Sequence, residues 1–135
     1  MTKDNKKANV QAELERASQS LEAASALLDR GLYADSISRA YYATLHLLRA
    51  LLFSRGVEPK SHSGALHLFN VELVRTGEVS GSWNRLLAGL QRSRELADYD
   101  SAVLFSEEEA RAVLTDARSF GDAALEYLRK GGWAK

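Results

Sequence analysis

Residues that could bind a phosphate group are concentrated between positions 91 and 100. Arg92, Arg94, Asp98 and Tyr99 stand close together near the end of an amphipathic pattern typical of a helix. Arginine can hold a phosphate through two parallel hydrogen bonds, and tyrosine adds an aromatic face and a hydroxyl group. The simpler interpretation is an exposed helix face, because an i, i+4 ion pair such as Arg94 with Asp98 contributes only about 0.3 kcal/mol.

A second polar group, formed by Arg39, Tyr42, His46 and Arg49, follows one stripe of a predicted helix. Offsets of 3, 7 and 10 residues place the four side chains on the same face. Arg39 could bind a phosphate and His46 could exchange a proton, since the ordinary pKa of histidine lies near neutrality. Alternatively, these amphipathic side chains extend from a central helix toward solvent, each satisfied by a neighbour.

A third group, Lys60, Ser61 and His62, precedes another predicted helix. The free backbone N–H groups at a helix N-terminus could hold a phosphate together with the lysine. The alternative is an ordinary helix cap formed by Ser61. His62 and His67 stand five positions apart, rather than the four that let two histidines on one helix share a zinc ion. Because the chain also has no cysteine, we expect neither a metal site nor a cofactor.

Composition limits the size and the setting of the protein. The chain has 135 residues with 18 basic and 18 acidic side chains, so its net charge is zero. This length favours one domain over residues 1–135 with a core at about 10–130, and nucleic acid could be bound only by a local patch. The absence of cysteine fits a reducing compartment, and no apolar run approaches the roughly 20 residues of a membrane span. We therefore expect a cytoplasmic protein without membrane association.

Apolar residues recur every three or four positions through most of the chain, which is the periodicity of helices. The pattern predicts five helices at about 10–30, 34–55, 61–75, 81–99 and 106–130. Gly31 and Gly56 are typical C-terminal stops, and Ser106 with Glu109 forms a capping-box signature. The sequence predicts an all-α fold, an up-and-down bundle of four to five helices with short connections.

Three segments in this order resemble the small stand-alone HEPN domain proteins of bacteria and archaea. The segments are Ser38–Ala43 with His46, Pro59–Gly64, and Arg92–Asp100. The resemblance implies a HEPN-like helical bundle that forms a homodimer and is often encoded beside a minimal nucleotidyltransferase. Many such proteins are metal-independent ribonucleases acting as toxins or in defence, whereas others are non-catalytic binding or scaffolding domains.

The resemblance also assigns roles along the third segment. The ribonucleases carry an arginine, a polar residue and then a histidine, often followed by a tyrosine two positions later. Arg92 matches the arginine, Ser93 the polar residue and Tyr99 the tyrosine, but the histidine position is Ala97. Alanine cannot exchange protons, and general acid–base help contributes about 10² to 10⁴-fold.

Similar arginine–histidine spacings occur at Arg39 with His46 and at Arg55 with His62. With 18 basic residues and three histidines, chance explains such matches. A histidine from one of these pairs could replace the missing imidazole only if the fold brought it near Arg92.

Three hypotheses follow from these residues. In the first, a ribonuclease toxin holds the scissile phosphate with Arg92 and Arg94, and Tyr99 shapes the pocket. In the second, which Ala97 favours, the same patch binds a nucleotide or a partner protein without turnover. In the third, Arg39, Asp98 and Tyr99 form a structural network between two helices.

The resemblance adds two expectations about partners. In some HEPN pairs the nucleotidyltransferase transfers AMP to the motif tyrosine, here Tyr99, and charge and bulk at that position would block an RNA site. In a homodimer, two copies of the Arg92–Tyr99 segment would converge into one basic cleft.

Overall fold

Five α-helices account for the fold of residues 2–135, the part of the chain that the computed structural model describes. They are α1 (Lys3–Asp29), α2 (Tyr33–Ser54), α3 (His62–Phe69), α4 (Ser82–Tyr99) and α5 (Glu107–Lys130), and a π-helical turn, Asn70–Val74, continues α3. No β-strand occurs between residues 2 and 135. The predicted all-α bundle is confirmed.

The helix ends follow the capping residues that the sequence contains. Ser61 Oγ and Ser106 Oγ each accept a hydrogen bond from the backbone N–H three residues later, at 2.9 and 3.0 Å. After α1 and α2 the chain reverses at Gly31 and Gly56, whose φ angles of 76° and 77° are strained for residues with a Cβ atom. The connection at Gly31 places α1 beside α2, and the one at Gly56 leads from α2 toward α3.

The first helix is longer than predicted. It begins at Lys3 rather than near Val10, because Thr2 Oγ1 accepts a hydrogen bond of 3.1 Å from the backbone N–H of Asn5. Nearly all side chains of the first two turns face solvent, so they carry no apolar periodicity.

The second helix is the centre of the bundle and packs against the other four. It contributes buried residues on several faces, including Ile37, Ala40, Tyr41, Leu48 and Leu51. Because α2 contacts α1 on one side and α4 on another, its polar residues can join side chains from both of these helices. None of the helices between residues 2 and 135 is long and apolar enough to cross a membrane.

Candidate functional site

Arg94 lies inside the bundle, between α4 and α2. Only 7% of its surface is exposed, whereas Arg92 is exposed to solvent. Two residues that are two positions apart in an α-helix point about 200° away from each other. The two arginines that the sequence groups together therefore lie on different sides of α4.

The guanidinium group of Arg94 is held by a carboxylate and three tyrosine rings, and we call this arrangement the Arg94 centre. Arg94 Nη1 donates to Tyr99 Oη at 3.3 Å and to Asp98 Oδ2 at 3.5 Å. Its central carbon lies 4.9 Å from the ring centroid of Tyr41, 5.7 Å from that of Tyr99 and 6.0 Å from that of Tyr42. These distances are in the range of cation–π interactions.

The positive charge of Arg94 is incompletely matched within the described part of the chain. Burial works against the charged form, but the hydrogen bond to Tyr99 and the nearby tyrosines raise the pKa of Arg94, so the group stays charged. The single carboxylate contact is at the outer limit of a hydrogen bond, and the buried Nε has no hydrogen-bond partner among residues 2–135. Burial also raises the pKa of Tyr41, which keeps its ring in the neutral phenol form.

Asp98 links the two helices of the site. Ser38 Oγ in α2 donates to Asp98 Oδ1, while Asp98 Oδ2 accepts from Arg94. The structure thus contains a network between α2 and α4, but Arg94 takes the place expected for Arg39. Arg39 is exposed and its guanidinium carbon lies 4.8 Å from the ring centroid of Tyr42.

A depression of about 660 Å³ opens beside the Arg94 centre. It is lined by Arg92, Arg94, Glu95, Leu96, Tyr99 and Asp100. Tyr99 is 77% exposed, so a ligand in the depression can contact both its ring and its hydroxyl group. Arg92 and Arg94 reach this depression from its rim and from its interior.

The remaining candidates line a different groove, between α1, α2 and the start of α3, with a volume of about 830 Å³. This α1–α2 groove is defined by Glu13, Arg16, His46, Arg49, Lys60 and His62. Arg39 lines an adjoining smaller depression, which shares His46 with the groove. The structure therefore separates His46 and Lys60 from the Arg92–Tyr99 segment, whereas His62 lies against the tyrosine rings that also contact Arg94.

The half-buried acid of the α1–α2 groove, Glu13, was not predicted. Glu13 Oε2 lies 2.6 Å from His46 Nδ1, and Glu13 Oε1 accepts a hydrogen bond of 2.9 Å from Arg49 Nε. Although burial alone would raise it, these hydrogen bonds lower the pKa of Glu13. Glu13 is 33 positions from His46, so no local motif could have shown the contact.

Tyr41 and Tyr42 lie between the two sites, and His62 contacts both. The His62 ring centroid is 6.1 Å from that of Tyr41 and 5.8 Å from that of Tyr42. Burial and the positive charges of Arg94 and Arg49 lower the pKa of His62, so its imidazole is neutral at pH 7. Ala97, at the position where the family motif has its histidine, packs against the core. Between residues 2 and 135 no cluster of metal-binding side chains occurs.

Comparison with known proteins agrees with this architecture. The family model described as the HEPN domain matches residues 10–127. The chain belongs to the HEPN family. The expected resemblance is thereby confirmed over most of the sequence.

Similar HEPN proteins occur in archaea and bacteria. A protein of Methanocaldococcus jannaschii named "Putative toxin MJ0605" is 33% identical over 121 residues, which cover 90% of each chain. A UPF0332 protein of Gloeobacter violaceus is 36% identical over 116 residues, covering 85% of this chain and 92% of that protein. The crystal structure of TT1696 from Thermus thermophilus superposes with a TM-score of 0.75 at 24% identity and covers 88% of this HEPN chain and 98% of its own.

Proposed function

We propose that this HEPN protein is the toxin-type member of a toxin–antitoxin or nucleotidyltransferase-associated system, and that its Arg94 centre binds RNA or nucleotide phosphate. The observation that carries the proposal is a buried, permanently charged guanidinium with one distant carboxylate partner. A buried cation is costly unless something compensates for its lost hydration. A phosphate oxygen entering from the depression would complete that compensation.

The surroundings of Arg94 suit a single-stranded ligand. Tyr99 offers an exposed ring on which a base can stack, and such stacking contributes about 1–3 kcal/mol per base. Arg92 stands at the rim of the same depression and can attract the backbone without specifying a sequence. RNA binding would therefore depend on Arg94 most strongly and on Arg92 and Tyr99 to a smaller extent.

Ala97 favours binding without turnover. Its methyl group cannot carry a proton, and the segment Gln91–Asp100 contains no histidine. This matches the alternative of a non-catalytic module better than a complete nuclease site.

A second candidate, a metal-independent ribonuclease, is favoured by His62. Its neutral imidazole contacts the same tyrosine pair as Arg94, and a neutral imidazole can accept the proton of a ribose 2′-hydroxyl group. The attacking oxygen would form a bond to phosphorus while the 5′-oxygen leaves and takes up a proton. Because His62 opens into the α1–α2 groove, this mechanism requires the RNA to pass the tyrosine pair.

The test combines binding and cleavage of one mixed RNA substrate in the presence of EDTA. We expect wild-type protein to bind and Arg94→Met to bind at least tenfold more weakly, while Arg118→Ala, an exposed arginine of α5, serves as the matched control. Equal binding by wild type and Arg94→Met would contradict the proposal. Cleavage that disappears in His62→Ala would select the ribonuclease, whereas cleavage gained only in Ala97→His would select the binding module.

Tyr99 is also the group that a nucleotidyltransferase partner could modify. Its exposed hydroxyl would attack the α-phosphorus of ATP, forming the oxygen–phosphorus bond while pyrophosphate leaves and the phenol proton is released. The added phosphate would lie beside Arg94 and occupy the place of RNA. A mass gain of one AMP group that is absent in Tyr99→Phe is expected, and modification at any other residue would contradict this role.

Exposed apolar side chains around the site fit a second copy of the chain. Among residues 2–135 the large exposed ones are Leu32, Leu96, Tyr99 and Leu104, and Leu104 is 89% exposed. Leu96 and Tyr99 lie in the last turn of α4 and line the depression, whereas Leu104 lies in the connection between α4 and α5. A homodimer through this surface would bring two Arg94 centres together and bury these side chains.

A further inference from the structure

The α1–α2 groove contains a carboxylate–imidazole pair with a defined orientation. The Glu13 side chain is 14% exposed and its carboxylate is held between His46 Nδ1 and Arg49 Nε. An ionised carboxylate only accepts hydrogen bonds, so the proton of the Glu13–His46 contact is on Nδ1. His46 Nε2 makes no hydrogen bond with residues 2–135 and remains available to a ligand in the groove.

Positive charge in this groove exceeds what its acids can match. Arg16 and Lys60 are exposed, and neither forms an ion pair within residues 2–135. Arg49 uses its Nε for Glu13 and its guanidinium carbon lies 5.5 Å from the ring centroid of Phe53, while its Nη groups form no hydrogen bond with residues 2–135. Glu13 is already engaged, and Glu15 is the only other acid on the groove surface within the described chain.

We propose that the α1–α2 groove is a second binding site, for a phosphomonoester such as the terminal phosphate of a nucleotide. Arg16, Arg49 and Lys60 supply donors to the phosphate oxygens, and His46 Nε2, an acceptor in the Nδ1–H tautomer, takes a hydrogen bond from a hydroxyl group of the organic part of the ligand. Glu13 acts as a positioning residue because it fixes the tautomer and the ring orientation of His46.

The size of the groove fits a ligand larger than a phosphate ion. Small-molecule sites typically measure about 300–1,000 Å³, and this groove measures about 830 Å³. Tyr42 and Leu45 supply apolar wall beside the cations, where the organic part of the ligand would lie. The phosphate donors of this site are separate from Arg94, so they can be tested apart from the Arg94 centre, with which the groove shares the ring of Tyr42.

Calorimetric titration with AMP and with adenosine tests the requirement for a phosphate. We expect wild-type protein to bind AMP and to show no measurable binding of adenosine. Lys60→Ala and Arg16→Ala should each weaken AMP binding by about tenfold, equivalent to about 1.4 kcal/mol, while Arg118→Ala binds as wild type. Equal affinities for AMP and adenosine, no AMP binding, or unchanged affinity in both alanine variants would overturn the proposal.

The positioning role of Glu13 has a spectroscopic readout. Nitrogen-15 NMR of the His46 ring should show the Nδ1–H tautomer in wild type and its loss in Glu13→Met, whose side chain has no oxygen acceptor, together with a weaker affinity for AMP. An unchanged tautomer in a folded Glu13→Met variant would remove Glu13 from the site.

Two carriers of a phosphomonoester can be separated with one pair of oligonucleotides. Tighter binding of a 5′-phosphorylated RNA than of its 5′-hydroxyl form, abolished in Lys60→Ala but kept in Arg94→Met, would identify RNA ends as the carrier. Equal binding of both oligonucleotides by a protein that binds AMP would identify a free nucleotide. Arg94→Met leaves the phosphate donors of the α1–α2 groove intact, so a failure of the Arg94 proposal and a failure of this one are distinguishable.

Discussion

Replacing Arg94 with alanine removes the charge that joins α4 to α2, and the structure allows the cost to be worked out. The variant loses the cation–π contact with Tyr41 at 4.9 Å, worth about 0.5–2 kcal/mol. It also loses hydrogen bonds to Tyr99 and Asp98 and the packing of a side chain that is 8% exposed. Relief from burying a charge offsets part of this loss. We expect the free energy of unfolding to fall by about 2 kcal/mol, or roughly 8 °C in Tm.

Arg92→Ala is the matched control for this experiment. Arg92 is exposed and forms no ion pair with the chain from residue 2 to 135, so its removal should change the free energy of unfolding by less than about 0.5 kcal/mol. Urea denaturation followed by circular dichroism measures both variants under one condition. An equal decrease in the free energy of unfolding of Arg92→Ala and Arg94→Ala would show that the burial of Arg94 does not contribute to stability.

Arg94→Met separates stability from binding. The methionine side chain fills most of the same space without a charge, and Asp98, whose side chain is 26% exposed, keeps Ser38 and water as partners. Apolar replacements of buried ions are often neutral or stabilising, so Tm should stay near the wild-type value. RNA affinity should nevertheless fall at least tenfold. Wild-type RNA affinity in a stable Arg94→Met protein would mean that Arg94 is purely structural.

Four further predictions concern stability and assembly. Ser38→Ala should lower the free energy of unfolding by about 1 kcal/mol in urea denaturation, because Asp98 loses a donor. Above pH 4.5, the ordinary pKa of glutamate, wild type should have a larger free energy of unfolding than Glu13→Gln. The pKa of Glu13 is lower than this in the folded protein, so the difference should disappear as the pH falls through the folded-state pKa. A difference that does not change with pH would contradict this. Phe120→Ala should cost about 3–5 kcal/mol in the same assay, since the ring is 2% exposed. Leu104→Asp should leave Tm unchanged and convert a dimer to a monomer in sedimentation equilibrium, and an unaffected dimer would exclude this surface.

The helices could be predicted because local chemistry decides their ends. Ser61 and Ser106 cap the helices at the predicted positions, and Gly31 and Gly56 end the helices before them. The π-helical turn at Asn70–Val74 could not be predicted in this way, since no residue type marks it and the fifth-neighbour hydrogen bond from Arg75 N–H to Asn70 C=O depends on packing.

Contacts between distant positions lay beyond the sequence. The Glu13–His46 pair and the Ser38–Asp98 hydrogen bond join residues 33 and 60 positions apart. Helical periodicity shows that His46 lies on the same stripe as Arg49, but not which residue of α1 faces that stripe. The division of the candidate residues between two grooves therefore emerged only from the packing of α1 and α4 on either side of α2.

The interpretation of Arg94 as part of an exposed helix face is wrong, although the apolar periodicity of α4 contains a signal for its burial. Leu87 and Leu90 set the apolar stripe of α4, and continuing it by four and then three positions leads to Arg94 and Ala97. An arginine on such a stripe must be buried with partners or extend to solvent, and Tyr41 supplies the partner ring from α2. The family motif, aligned on Tyr99, places its arginine at Arg92. The apolar periodicity of α4 instead singles out Arg94. The buried arginine is the one whose charge the fold has to compensate, and this is why a phosphate ligand is argued from Arg94.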